Sequence, residues 1–204
     1  MRCSTQSFAC AGPGARNPCC WRSAQCCSPE PRYALRFARS EALTMRRLAT
    51  PEDLVSVHAL YMHEKVVPFL GYDPMPLEEF RPIYRDLVDS GCFHIYEHDG
   101  RLAGFYRATR YPGRVQHVAC LGTLAVDPAF HGQGIALAMV TEAIDALKAA
   151  GVKRIELFAE SDNAPALRFY EKLGFEREGT LRKFYKRAGD ADYIDDHLMA
   201  LLLD

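Results

Sequence analysis

Cysteine is scarce over most of this 204-residue chain and crowded at one end. Six of the eight cysteines fall within the first 27 residues, and only Cys92 and Cys120 follow. A secreted domain that depends on disulfides needs its cysteines where the core forms. This distribution excludes a disulfide scaffold for the main body of the chain.

Long apolar runs and a strong charge of one sign are also missing. Apolar runs reach only six residues, as at 198–203, which is far too short to cross a bilayer. Residues 1–44 hold six Arg and two Glu, a charge of +4, whereas residues 45–204 hold 19 Lys and Arg against 24 Asp and Glu, a charge of −5. We therefore expect a cytoplasmic globular protein with neither nucleic acid nor membrane as a partner.

The first 44 residues lack periodicity and have few aliphatic side chains, so we expect a disordered extension. One interpretation is that translation starts at Met45, and another is an Arg-rich organelle-targeting segment. A third is a metal or redox site on Cys19–Cys20 and Cys26–Cys27. Adjacent cysteines differ from the spaced pairs that zinc prefers, and no metal site is predicted.

Residues 45–204 read as one domain in which strands feed helices only in the second half. Thr50 before Pro51 and two acids marks a helix start, and Asp99-Gly100 is a strong hairpin signal. The predicted helices are one that starts at Thr50, 77–89 with a break or restart at Pro82, 135–150 and 163–173. The predicted strands are 92–98, 102–109, 115–126, 152–159, 175–186 and 194–202. This order predicts an α/β (α+β) domain with a mixed sheet, which begins antiparallel and continues through a β-α-β crossover.

The segment from Val126 to Ala136 places Gly132 and Gly134 between a strand and a helix. Glycines let backbone N–H groups approach a phosphate, and the helix N-terminus adds positive charge. A plain strand-to-helix turn is the alternative. No G-K-[ST] follows, and Leu137 stands where a dinucleotide fingerprint needs glycine, so neither nucleotide motif fits.

A second segment opens a helix with Asn163 and places Tyr170 two turns later on the same face. Taken alone, this pattern is also satisfied by an Asn N-cap and a half-buried Tyr.

The two segments at this spacing together resemble the GNAT superfamily of N-acetyltransferases. Residues 131–136 correspond to its signature [QR]-x-x-G-x-[GA], with His131 in place of the usual Gln or Arg. Residues 163–175 are similar to the family's second conserved motif. Residues 175–180 and 193–200 resemble a subgroup that acetylates amino acids or other small amines. The resemblance covers about residues 45–204.

The resemblance implies a single GNAT-like domain, with about six to seven strands, helices on both faces and acetyl-CoA as cosubstrate. The cosubstrate is expected in a V-shaped splay between two parallel strands that end near Val126 and Ala159. The implied cofactor-binding residues are Leu124, Ala125, Val126, His131, Gly132, Gln133, Gly134, Ile135, Ala136 and Asn163.

The resemblance also implies direct attack of an amine on the thioester, with the Val126 N–H stabilising the oxyanion. Tyr170 is then the general acid that protonates the departing thiolate. The base is left open between His117, Glu160, Glu64 and a water chain.

The resemblance to that subgroup implies a small-molecule amine, an amino acid or a related amine, as the acceptor. The charge of −5 suits a cationic amine better than an anionic partner. Protein acetylation, at an N-terminus or a side chain, and a non-catalytic acyl-CoA-binding module are the alternatives. The region that lines the acceptor side in this family is about residues 62–87. Its candidate contacts are His63, Glu64, Phe69, Tyr72, Asp73 and Tyr84. The closing strands, 175–186 and 194–202, are expected to leave apolar edges for a homodimer.

Overall fold

The computed structural model describes residues 43–204. The predictions about the cysteine-rich segment before them lie outside the described residues. Within the described part, the strands are β1 (Thr44–Leu48), β2 (Phe93–His98), β3 (Arg101–Arg110), β4 (Val118–Val126), β5 (Arg154–Glu160), β6 (Glu176–Tyr185) and β7 (Ile194–Leu202). The α-helices are α1 (Leu54–Tyr61), α2 (Leu77–Asp89), α3 (Ile135–Ala149) and α4 (Ala164–Lys172).

These strands form one mixed sheet in the order β1-β2-β3-β4-β5-β7-β6. Only β4 and β5 are parallel among them, and α3 supplies the crossover that a parallel pair requires. The predicted fold class is confirmed: an antiparallel start, a β-α-β unit and a single α/β domain.

The first strand, β1, was not predicted. Its sequence, TMRRL, has two adjacent arginines and no apolar alternation. Arg47 nevertheless holds it in place through ion pairs with Asp53 and Glu97, each 2.7 Å long. The strand begins at Thr44, which pairs with His98.

Three other expectations about the elements are corrected. Helix α2 runs through Pro82 without a break, because the proline lies on its exposed side, where water can reach the carbonyl left without a donor. Strand β4 starts at Val118 and not near residue 115, because Gly113 opens a 3-10 turn with a φ of 66°. Strand β7 has no free edge, because it lies between β5 and β6.

Helices cover both faces of the sheet, as predicted, but unevenly. Helices α3 and α4 pack on one face around Met139, Ile155 and Leu157. Helices α1 and α2 pack on the other face, where Phe80 and Phe105 are fully buried. This second cluster takes no residue from β5 or β7. That half of the face therefore stays open beside the parallel pair.

Candidate active site

Strands β4 and β5 separate before they end. Their parallel pairing runs only from Val118–Arg154 to Leu121–Leu157. Just beyond it, Thr123 has a φ of 46°, a left-handed conformation that is costly for a β-branched residue, and the register with β3 shifts. The bulge turns the end of β4 away from β5 and opens the V-shaped splay that the resemblance implies.

The end of β4 turns backbone groups toward this splay, where no neighbouring strand within residues 43–204 pairs with them. The Asp127 N–H donates to the Ala103 carbonyl on β3 at 2.9 Å. Because backbone groups alternate sides along a strand, the N–H of Ala125 also faces β3, whereas Leu124 and Val126 face the gap. The Ala125 side chain is buried under α1 and α2.

The loop after β4 is shaped to expose the start of α3. Asp127 accepts from the Ala129 N–H at 2.8 Å, and Gly132 and Gly134 have φ of 77° and 80°. Left-handed backbone of this kind favours glycine. Gly134 is the N-cap of α3, so the first amides of that helix, including those of Ile135 and Ala136, have no earlier helical carbonyl to bond. Amides of this kind can bind an anion.

Two side chains of this loop fold back onto the chain. His131 Nε2 lies 3.2 Å from the Val126 carbonyl, so its ring sits at the mouth of the splay. The Gln133 side chain donates to the Ala129 carbonyl at 3.0 Å, and the Gln133 backbone N–H donates to the Phe130 carbonyl at 3.3 Å. His131 thus joins the strand end to the glycine loop.

A cavity of about 480 Å³ fills the splay, and a groove of about 420 Å³ follows the glycine loop. The cavity brings together most of the predicted cofactor-binding residues with Tyr170 and Glu160. From the predicted set, the cavity is lined by Leu124, Ala125, Val126, His131, Ala136 and Asn163. The groove is lined by Val126, His131, Gly132, Gly134, Ile135 and Ala136.

Tyr170 lies on α4, and its side chain lines the cavity. Its side chain is buried, and its hydroxyl makes no hydrogen bond within the described residues. Burial raises the pKa of this phenol, and the nearby Glu160 carboxylate raises it further. The phenol therefore stays protonated at neutral pH, as a general acid must.

Asn163 begins α4 and lies beside the cavity. Its Oδ1 accepts from the Ala166 N–H at 3.3 Å and so caps α4. The side chain also lines the cavity. The amide nitrogen remains as a donor, and the Asn163 side chain also hydrogen-bonds to the Glu160 carboxylate.

Of the three candidate bases, only Glu160 reaches the cavity. Burial raises its pKa to about 7, with Asp196 adding to the shift, while Asn163 and Arg187 oppose it. His117 is exposed at the opposite end of β4, and Glu64 is exposed outside the cavity.

Arg187 was not singled out from the sequence, yet it fastens the acceptor end of the cavity. Its guanidinium donates to both oxygens of Asp162, at 2.7 and 3.2 Å, and to the Pro68 carbonyl at 2.6 Å. It also lies 5.2 Å from the ring centre of Phe69, which lines the cavity. The bond between Tyr185 and the Leu70 carbonyl reinforces this link. No periodicity could reveal this link, because Pro68 and Leu70 lie more than 100 residues before Arg187 and Tyr185.

The other residues that were expected to line the acceptor side lie in different places. Phe69 faces the cavity, whereas Tyr84 is buried away from it and donates to the Thr50 carbonyl at 2.6 Å. Asp73 accepts from the Ala188 N–H at 3.0 Å. This bond is a second link, besides that of Arg187, between the loop after α1 and the loop after β6. Tyr72 is half-exposed, 6.4 Å from the Tyr61 ring. His63 borders a separate groove near Arg101.

Within residues 43–204, no three His, Cys, Asp or Glu side chains come together as metal ligands. None of the helices in this range has the length and apolar character needed to cross a membrane.

Comparison with known proteins places this site in a family. The model of the Acetyltransferase (GNAT) family matches residues 54–175. The chain is 42% identical over 88 residues to the L-amino acid N-acetyltransferase AaaT of Escherichia coli K12, a match that covers 43% of this chain and 52% of that protein. It is 32% identical over 129 residues to the N-alpha-acetyltransferase RimI of Mycobacterium tuberculosis, covering 61% of this chain and 76% of RimI.

The first of these relatives is matched over only about half of its length. Among solved structures, an N-acetyltransferase from Staphylococcus aureus Mu50 superposes with a TM-score of 0.65 at 23% identity, over 79% of this chain and 99% of that one. That similarity shows the fold, and the family model and RimI show the relationship. This chain belongs to the GNAT family of acetyltransferases.

Proposed function

We propose that this protein transfers the acetyl group of acetyl-CoA to the primary amine of a small molecule, within a complex that holds both reactants. One observation carries the proposal: Tyr170 and Glu160 line the same cavity, which opens between the free ends of β4 and β5. Family membership supports the acyl transfer.

The residues present fit acetyl-CoA. The backbone of Leu124 and the N–H of Val126, which face the gap, can bind the amide-containing arm as an added strand does. The amides at the start of α3, behind Gly132 and Gly134, can bind its pyrophosphate. Asn163 supplies a side-chain donor between these two places.

Glu160 and Tyr170 each carry out one of the two proton transfers that the reaction needs. Glu160 accepts a proton from the acceptor ammonium, so that the nitrogen can form its bond to the acetyl carbon. The Val126 N–H faces the gap and stabilises the developing oxyanion. As the carbon–sulfur bond breaks, Tyr170 donates its proton to the sulfur. The nitrogen then loses its second proton, which reprotonates Tyr170. One proton is released for each amide formed.

The contacts between two loops at the Phe69 end of the cavity favour a small molecule over a protein as the acceptor. Arg187 and Asp73 tie the loop after α1 to the loop after β6 across this end of the cavity. The AaaT relative is named for L-amino acids, and RimI for N-alpha-acetylation, so the relatives leave both acceptor classes represented. The cytoplasmic location and the homodimer stay predictions.

The test is release of the coenzyme A thiol from acetyl-CoA with a panel of small amines and of peptides with free N-termini. We expect turnover of small amines and a loss of about 100-fold in kcat for Tyr170→Phe. Tyr193→Phe is the matched control, because Tyr193 is exposed outside the cavity. Binding of acetyl-CoA without turnover of any amine would contradict the proposal and favour a non-catalytic module.

A further inference from the structure

Phe158 is a large apolar side chain on an inner strand of the sheet, yet 43% of it is exposed. Its strand, β5, lies between β4 and β7. Its neighbours Leu157 and Ala159 are buried against α3 and α4, so Phe158 points to the opposite face, the one that carries α1 and α2. The apolar cluster on that face takes no residue from β5, so these two helices leave the ring uncovered.

The exposed ring belongs to the active-site cavity. Phe158 lines the cavity together with Glu160, which lies two residues further along the same strand and therefore on the same face. The groove along the glycine loop lies on the other face, because Ile135 and Phe169 in its lining pack with the cluster around α3 and α4. With acetyl-CoA held in that groove, Phe158 and Glu160 are left for the acceptor.

A second exposed phenylalanine enlarges this apolar surface. The ring of Phe184 on β6, which is 61% exposed, stacks on that of Phe158, with ring centres 6.4 Å apart and an angle of 19° between the planes. A regular strand would send Phe184 and Tyr185 to opposite faces. Instead, Phe184 meets Phe158, and the Tyr185 hydroxyl donates to the Leu70 carbonyl in the loop after α1. Both partners belong to the face that carries α1 and α2.

A bulge in β6 accounts for this departure from alternation. Between Leu181 and Tyr185, β6 advances four residues while the paired segment of β7 advances two. Lys183 in the bulge has a φ of 54°, a left-handed conformation that is costly for a residue other than glycine. The Asp195 carboxylate holds the bulge by accepting from the Lys183 N–H at 2.8 Å. Bulges beside active sites commonly re-aim a side chain, and this one holds a phenylalanine against the cavity wall.

The charges at the cavity fit an acceptor with one ammonium and an apolar substituent. Among the described residues that line the cavity, Glu160 is the one acid. It meets the ammonium in the proposed transfer, so a second ammonium on the same molecule would find no carboxylate there. Apolar area is available instead, because Phe69, which is 38% exposed, lines the cavity as Phe158 does.

We propose that Phe158, backed by Phe184, binds the apolar substituent of the acceptor, so that this protein prefers primary amines that carry an aromatic or branched aliphatic group. The ammonium of such an amine meets Glu160, and its substituent covers the exposed ring of Phe158. An aromatic substituent gains both from the buried apolar area and from the stacked contact. This inference rests on the proposed function and names what the acceptor carries besides its amine.

The test compares four primary amines at saturating acetyl-CoA. They are 2-phenylethylamine and 3-methylbutylamine, ethylamine, which lacks the apolar group, and 1,4-diaminobutane, which ends in a second ammonium. For the wild type, we expect kcat/KM for 2-phenylethylamine to exceed that for ethylamine and for 1,4-diaminobutane by about tenfold or more. Phe158→Ala should lower the ratio of kcat/KM for 2-phenylethylamine to that for ethylamine by about tenfold, and Phe158→Leu should lower it less.

The matched control is Leu202→Ala on β7. Leu202 is 70% exposed and lies on the same face of the sheet as Phe158, because it pairs with Arg154, four residues before Phe158 on β5. It does not line the cavity. The ratio for Leu202→Ala should therefore stay at the wild-type value.

The outcomes separate the two proposals. Equal kcat/KM for all four amines, or an unchanged ratio in Phe158→Ala, overturns the role of Phe158 and leaves amine acetylation standing. A rise in KM for acetyl-CoA with an unchanged ratio would assign the ring to the cosubstrate instead. No turnover of any amine overturns amine acetylation and the role of Phe158 with it.

Sedimentation velocity gives a second readout. We expect the wild type and Phe158→Ala to have the same oligomeric state. If the wild type were a dimer that Phe158→Ala converted to a monomer, a second copy of the chain would cover this face, and the proposal would be overturned.

Discussion

Glu160 on β5 lies directly opposite Asp196 on β7, so that their carboxyl groups share the sheet face at the acceptor end of the cavity. Asp196 is only 6% exposed, and its Oδ1 has no hydrogen-bond partner among the described residues. Burial raises the pKa of both groups, to about 7 for Glu160. Two neighbouring carboxyl groups resist being charged together, so the pair favours the state in which Glu160 holds a proton.

Stability should therefore depend on pH through Glu160. Its folded pKa of about 7 is above the ordinary 4.5, so this stabilisation is complete below pH 4.5 and is lost as pH rises through 7. Glu160→Gln removes the titration, so the variant should gain stability over the wild type between pH 5 and pH 8, by up to about 3 kcal/mol. Urea unfolding at both pH values measures this. The exposed Glu171→Gln should give no such trend, and a pH-independent difference for Glu160→Gln would contradict the assignment.

The pH dependence of turnover should follow the same group. If Glu160 is the base, kcat/KM of the wild type rises to a plateau through about pH 7, because only the ionised carboxylate accepts the proton. In Glu160→Gln this limb should disappear and the plateau fall by about 100-fold. Steady-state rates between pH 5.5 and 9 decide the matter. A limb that survives unchanged in the variant would assign the base to a different group or to water.

The sequence predicted the splay and the glycine loop because both depend on local signals and on the family resemblance. It did not predict the pairing of Glu160 with Asp196, which depends on β7 inserting beside β5 in one particular register. Nor did it predict β1, whose adjacent arginines conceal a strand that is fixed by ion pairs with distant acids.

Arg187 should affect KM for the acceptor amine and leave KM for acetyl-CoA unchanged, because it does not line the groove along the glycine loop. Arg187→Lys keeps the charge but loses the planar fork that spans Asp162 and the Pro68 carbonyl. We expect a loss of about 1–2 kcal/mol in unfolding free energy and a rise of about tenfold in KM for the amine, with little change in KM for acetyl-CoA. Hydrogen exchange should quicken around Phe69. Arg182→Lys, at an exposed position of β6, is the control. A rise in KM for acetyl-CoA alone would show that Arg187 acts elsewhere.

Gly104 and Gly122 offer a matched pair on the neighbouring strands β3 and β4. A Cβ at Gly104 would lie 2.7 Å from the Ala125 carbonyl, a backbone atom that cannot yield without moving the end of β4. Gly104→Ala should therefore cost about 1–3 kcal/mol of stability.

A Cβ at Gly122 meets nothing within 4 Å, so Gly122→Ala should keep or slightly raise stability. Its methyl group enters the cavity that Gly122 lines, and we expect KM for the acceptor to rise by about tenfold. Chemical denaturation and steady-state kinetics on both variants measure the contrast. If Gly122→Ala left KM unchanged, the space over Gly122 would not belong to the acceptor site, because the methyl group has no other neighbour to disturb.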